Sequence, residues 1–264
     1  MNKNVVYKTK QEDILIDDLE KSSFITRKQL LDIKKYYDEK VPYHNFLHAL
    51  QVAGKVLELL SPKDFDLIEI KSLFIAALFH DAGHTWMAGD LDEFRSLDTA
   101  LNSIKIFEEK YNYSWIDYSI VRKAIIWTVF KNRAKNKDKY AIIMADLDIN
   151  ALWLDFLDFL YYSDFWMALE IGNSKNWELD IESWYKNIWF FKFIMWIDKN
   201  IYRNKFIQKQ LLQNSLDNIK KYINISKNNF CLENWRNIEN IFNYWRKNNI
   251  TLTEFKNFIL KNEK

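Results

Sequence analysis

The chain holds four histidines, and all of them fall in two short stretches: His44 and His48 within Tyr43-His44-Asn45-Phe46-Leu47-His48, and His80 and His84 within His80-Asp81-Ala82-Gly83-His84. The rest of the 264 residues carries no imidazole. Imidazole ligates metals and moves protons near neutral pH, so this confinement marks the two stretches as chemistry. Within each stretch the histidines are four apart, which on a helix stacks both rings on one face about one turn from each other. Two such faces brought together would make a metal cage.

Helices have to do the positioning. Four glycines and two prolines supply too few turn-formers for an all-β sandwich or a series of hairpins, so the expected fold class is all-α. Residues 1–22 read as a polar lead-in with one short helix around 14–19. A helical period from Thr26 reaches Glu39, and Pro42 stops it. The next helix runs from the Tyr43 stretch through Ala49, Val52, Val56 and Leu60, with His44 and His48 on its first two turns.

Residues 67–79 are apolar on nearly every face, so that helix is central. It ends by delivering His80 and Asp81 into the interior. A bare carboxylate there costs on the order of several kcal/mol unless a partner neutralises it, and a metal ion is the natural partner. Gly83 then lets the chain turn. A loop over 85–92 leads into a helix over 93–106, with Glu93, Ser96 and Ala100 on one face. Another apolar helix spans 120–130, a basic loop follows at 131–139, and the core segment 140–154 carries Asp146 and Asp148 two residues apart. From Phe165 onward the chain is rich in Trp, Phe, Tyr, Ile, Asn and Lys at helical spacing.

Composition narrows the function classes. A formal charge of +2 gives no case for a nucleic-acid partner. The single cysteine, Cys231, excludes an intrachain disulfide and a cysteine-based zinc site, and fits a reducing cytosol. No Gly-x-Gly-x-x-Gly or Walker-type cluster is present, so a phosphate here has to be held by something else. The N-terminus has no apolar signal core and no stretch approaches the roughly 18 apolar residues of a membrane span, so a soluble cytoplasmic protein is expected. The expected organisation is a lead-in over 1–25, a catalytic core over 26–160 and a helical extension over 161–264 packed on that core.

Taken together, Tyr43-His44-Asn45-x-x-His48-Ala49, then Ala77-Leu78-Phe79-His80-Asp81-x-x-His84, then Ala145-Asp146-Leu147 resemble the HD superfamily of metal-dependent phosphohydrolases. The first two blocks are most similar to class I cyclic nucleotide phosphodiesterases, while Glu93 and Ser96 resemble the Glu-x-x-Ser of small bacterial HD hydrolases. The resemblance covers roughly residues 26–159. It implies an HD-domain helical bundle in which His48, His80, Asp81 and Asp146 ligate a first metal and Asp81 bridges to a second. It further implies that His84 stands in the shell of the second metal, that Glu93 belongs to the same catalytic surroundings, and that His44 is the proton donor to the leaving oxygen.

The chemistry agrees with these roles. Two divalent ions sharing a carboxylate activate a water and clamp a phosphoryl group for in-line attack, and a nearby imidazole protonates the leaving alkoxide. The N/O ligand set suits Mn, Mg, Zn, Fe, Co or Ni without choosing among them. The resulting expectation is a hydrolase of a nucleotide phosphodiester, with a cyclic nucleotide favoured. A 5′-nucleotide phosphomonoesterase, a nucleotide-sequestering HD-fold binding protein and an HD-fold di-iron oxygenase are the rivals; the last needs more histidines than remain once His44 serves as an acid. The phosphodiesterases read the purine with a glutamine, and Gln208, Gln210 and Gln213 lie in no recognisable context for that role.

Overall fold

Leu67–Phe79 forms the helix around which the others pack. Its start is fixed by a capping box in which the Asp66 carboxylate accepts from the Glu69 N–H (2.8 Å) and Glu69 accepts from the Asp66 N–H (2.9 Å). From Ser72 to Phe79 every residue is fully excluded from solvent. A helix apolar all round must be covered on every side, and each buried Leu, Ile or Phe contributes about 1.5–3 kcal/mol.

A computed structural model describes residues 3–84, 92–112, 116–126, 128, 137–159, 166–171 and 201–228, and its regular elements are all helical. In order they are α1 (Lys3–Glu20), α2 (Arg27–Lys34), α3 (Phe46–Leu59), α4 (Leu67–Phe79), α5 (Asp92–Tyr111), α6 (Tyr118–Ile126), α7 (Lys139–Asp148), a 3₁₀ turn (Asn150–Trp153), α8 (Phe156–Phe159), α9 (Trp166–Ile171) and α10 (Lys205–Asn228). Helices α3, α5, α6 and α7 surround α4, α1 packs on α3, and α10 packs on the 3₁₀ turn and α7. Among the described residues no helix is long and apolar enough to cross a membrane.

Several boundaries differ from the sequence expectation. The first helix begins at Lys3 rather than near Ile14. Helix α2 ends at Lys34 rather than Glu39, because tight bonds from the Tyr36 N–H to Ile33 O and the Tyr37 N–H to Lys34 O turn the chain. That turn lets the Tyr36 ring stack on Phe79 and the Tyr37 hydroxyl donate to Leu78 O (2.8 Å). Residues 85–91 and 129–136 lie outside the described residues, and with them most of the expected basic loop over 131–139; Lys139 opens α7 behind an Asp138 cap. Cys231 also lies outside them.

Neither histidine pair stacks along a helix face. Asn45 is the N-cap of α3, its side chain accepting from the His48 N–H (3.2 Å), so His44 stands ahead of the helix and only His48 is on it. His80 caps the C-terminus of α4, and residues 81–83 form a turn that carries His84 off the helix. Gly83 is the pivot. Its φ of +83° is a left-handed conformation that favours glycine, its N–H donates to Tyr36 O (2.9 Å), and a Cβ there would meet Thr99 Oγ1 at 2.9 Å.

Candidate metal centre

His80 Nδ1 lies 2.7 Å from the carbonyl of Ala77, one turn back in α4. Donation to that carbonyl fixes the tautomer and leaves Nε2 as the ligand atom. Nε2 lies 3.2 Å from Asp148 Oδ1 and 3.1 Å from Asp81 Oδ2. From α3, His48 Nε2 comes within 2.9 Å of the same Asp148 oxygen and 3.7 Å of Asp81 Oδ2. The set His48, His80 and Asp148 thus has its ligand atoms within 4.8 Å of one another. A second set with the same closeness consists of His44, Asp81 and His84.

Asp81 connects the two. Its Oδ2 faces His80 and His48, while its Oδ1 lies 3.6 Å from His84 Nε2. The residue is buried, and Oδ2 receives no aligned hydrogen bond despite the nearby imidazoles. A buried carboxylate oxygen without a hydrogen bond is expensive, and a cation answers it. Burial works to raise the Asp81 carboxyl, but His80, His44 and His84 outweigh it and hold the group well below the usual carboxylate range. Burial likewise works against a charged His80, yet Asp81 and Asp148 carry its imidazole well above its ordinary value. Protons thereby balance a charge that divalent ions can balance instead. The donor set, imidazole nitrogens and carboxylate oxygens, fits such ions.

Asp146, the ligand that the resemblance implies, belongs to neither of the two sets. It is fully buried, but its Oδ2 accepts from the N–H groups of Arg203 (2.8 Å) and Asn204 (2.7 Å). Residues two apart on a helix point about 200° apart, so Asp146 and Asp148 cannot both face the histidines. The face bearing Asp148 is turned to α3 and α4. This register is set in part at the other end of α7, where Lys139 and Tyr140 both donate to Glu69 at the start of α4 (2.7 and 2.6 Å).

Glu170, in α9, is the residue that sequence reasoning missed. It is buried, accepts from the backbone N–H groups of Tyr43 (2.8 Å) and His44 (3.1 Å), and places Oε1 2.5 Å from His44 Nδ1. Burial alone would lower the His44 imidazole, but Glu170, followed by Asp81, raises it to about 10. With Nδ1 engaged, Nε2 is left for the site, and the ring lies 4.6 Å from that of His84. The clue available in the sequence was a single carboxylate in the apolar run Phe165-Trp-Met-Ala-Leu-Glu-Ile171, which must find a partner if the helix is buried. Of the remaining expected residues, Ser96 is buried on α5. Glu93 belongs to α5 as well, but its side chain lies outside the described residues.

No family model and no curated protein matches the sequence. Solved structures do. The chain superposes on the phosphodiesterase domain of Salpingoeca rosetta rhodopsin phosphodiesterase with a TM-score of 0.63 at 16% identity, over 78% of this chain and 82% of that one. It matches LmjPDEB1 in complex with IBMX with a TM-score of 0.55, also at 16% identity, over 83% and 86% of the two chains. At this identity the likeness establishes a shared helical fold, and it extends past the part of the chain that carries the sequence motifs.

Proposed function

We propose that the chain is an HD-type metal-dependent phosphohydrolase that cleaves a nucleotide phosphodiester, a cyclic one in preference. The observation that carries this reading is Asp81, a buried carboxylate whose two oxygens face two separate ligand sets. In this proposal His48, His80, Asp148 and Asp81 hold one divalent ion, and Asp81 with His84 holds the other. Bound there, the ions would supply Lewis-acid polarisation of the phosphoryl group and a water of lowered pKa. His44 holds a proton on Nε2 and gives it to the leaving ribose oxygen, while Glu170 stabilises the imidazolium and fixes its tautomer. The fold shared with the two phosphodiesterases, one of them in complex with IBMX, supports a small nucleotide-like ligand.

Charge favours a diester. Asp81, Asp148 and Glu170 carry three negative charges, and a protonated His44 offsets one. Among the described residues, the ion pairs to these three carboxylates all come from histidines. Two divalent ions then leave about two positive charges for substrate and nucleophile together. A monoanionic diester uses one of them, whereas a dianionic monoester uses both. Arg95, eleven residues past His84, is exposed on α5. The protein loaded with Mn or Mg is expected to hydrolyse cyclic mono- or dinucleotides without releasing phosphate from the matching 5′-monophosphates. Phosphate release from the monophosphates, with the cyclic compounds untouched, would replace this reading with that of a nucleotidase.

The two aspartates of α7 give opposite expectations. Asp148→Ala is expected to lose metal from the His48–His80 set while the metal-free protein stays folded. Asp146→Ala removes the acceptor of two half-buried N–H groups and is expected to destabilise the fold by about 1–3 kcal/mol, with metal retained in the molecules that remain folded. Metal content by elemental analysis, beside thermal melts, separates them; metal loss in Asp146→Ala with an unchanged melt would restore Asp146 as the ligand.

A further inference from the structure

A cavity of about 330 Å³ lies between α2 and α5, outside the metal centre. Its floor is apolar and aromatic: Ile33 and Phe107 are buried, and the Phe107 and Tyr111 rings pack 5.0 Å apart. Its rim is charged. Lys35, Lys110 and the Tyr111 hydroxyl all donate to the single carboxylate of Asp32. The hydrogen bond from Lys110, followed by those from Lys35 and Tyr111, holds that carboxyl well below its usual range. Two ammonium groups therefore share one counter-charge, and both remain accessible, with Lys35 71% and Lys110 50% exposed. A pocket at the lower end of the size range for small-molecule sites, apolar inside and positive at its mouth, suits a flat aromatic body carrying an anionic group.

Both walls of this cavity hold the turn that carries Asp81 and His84. On the α2 side, Tyr36 accepts the Gly83 N–H through its carbonyl and packs its ring on Phe79 at 5.8 Å. On the α5 side, Thr99 lies one turn before the cavity-lining Ser103 and closes on Gly83 with no room for a Cβ. We propose that the cavity binds a small aromatic anion, and that its occupant, by bearing on Tyr36 and α5, changes the set of residues 81–84. The proposal is independent of the phosphohydrolase reading, since neither the binding nor its readout needs metal or turnover.

The test uses the full chain without added metal and anilinonaphthalene sulfonate as the probe. Fluorescence titration is expected to show one saturable site. Ser103→Trp, which fills the cavity, should abolish it, and Lys35→Glu should weaken it roughly tenfold. Ile14→Lys, at an exposed apolar position on α1, should leave it unchanged. Because Lys35 is exposed, its variant remains decisive should the tryptophan prevent folding. Absence of a saturable site, or binding indifferent to Lys35→Glu, overturns the proposal. Coupling is read from hydrogen exchange of the Gly83 amide, which should change by roughly fivefold or more on probe binding; unaltered exchange at saturation overturns the link to the turn.

Discussion

Asp81→Ala is expected to lose both metal ions and to reduce turnover by roughly 10⁴-fold or more. Asp81 belongs to one ligand set and borders the other: its Oδ2 is within 3.1 Å of His80 and 3.7 Å of His48, and its Oδ1 is 3.6 Å from His84. Removing an ordinary ligand empties one position; removing a shared one takes an oxygen from each ion and a negative charge from between two imidazoles. The comparison that gives the result its meaning is Asp148→Ala, since among the described residues Asp148 bonds to His48 and His80, and this variant is expected to keep the ion at the Asp81–His84 side. Elemental analysis of both variants decides the matter. If Asp81→Ala retains metal as well as Asp148→Ala does, the carboxylate is not a bridge.

His44→Ala is expected to keep its metal and bind substrate, yet turn over roughly 10²–10⁴-fold more slowly, the usual worth of a positioned general acid. The structure makes this a genuine contest, since His44 stands in a ligand set with Asp81 and His84 as well as 2.5 Å from Glu170. An acid is dispensable when the leaving group is already acidic, so the loss should shrink on a nitrophenyl ester. Glu170→Gln offers an independent reading. Glu170 raises the His44 imidazole, and a general acid works only while protonated, so activity falls as pH rises through its pKa. Removing the carboxylate should therefore move the alkaline limb of the pH–rate profile to lower pH. Metal loss in His44→Ala equal to that in His48→Ala, together with an unmoved alkaline limb in Glu170→Gln, would make His44 a ligand.

How much of this was legible beforehand follows from which interactions are local. The centrality of α4 was visible because thirteen consecutive residues lack a polar face, and the clustering of histidines because the chain has no others. The expected helical stacking of each pair does not occur, since α3 starts only at Phe46 behind its Asn45 cap and Gly83 ends the turn after α4, and a four-residue spacing looks the same in a helix as in a turn. That Asp148 rather than Asp146 meets His48 and His80 depends on which face of α7 is turned to α3 and α4. That is decided by Glu69 gripping Lys139 and Tyr140 from seventy residues away, and by N–H groups at 203 and 204 claiming Asp146. Glu170 was hidden for the same reason, being 126 residues from His44.

That separation bears on how the protein is made. The two histidine blocks leave the ribosome as part of an apolar bundle well before Glu170 is translated, and the N–H groups that claim Asp146 follow some 57 residues behind it. Until then the nascent bundle holds His44 without its carboxylate and Asp146 without its donors, a buried charge waiting for its partner.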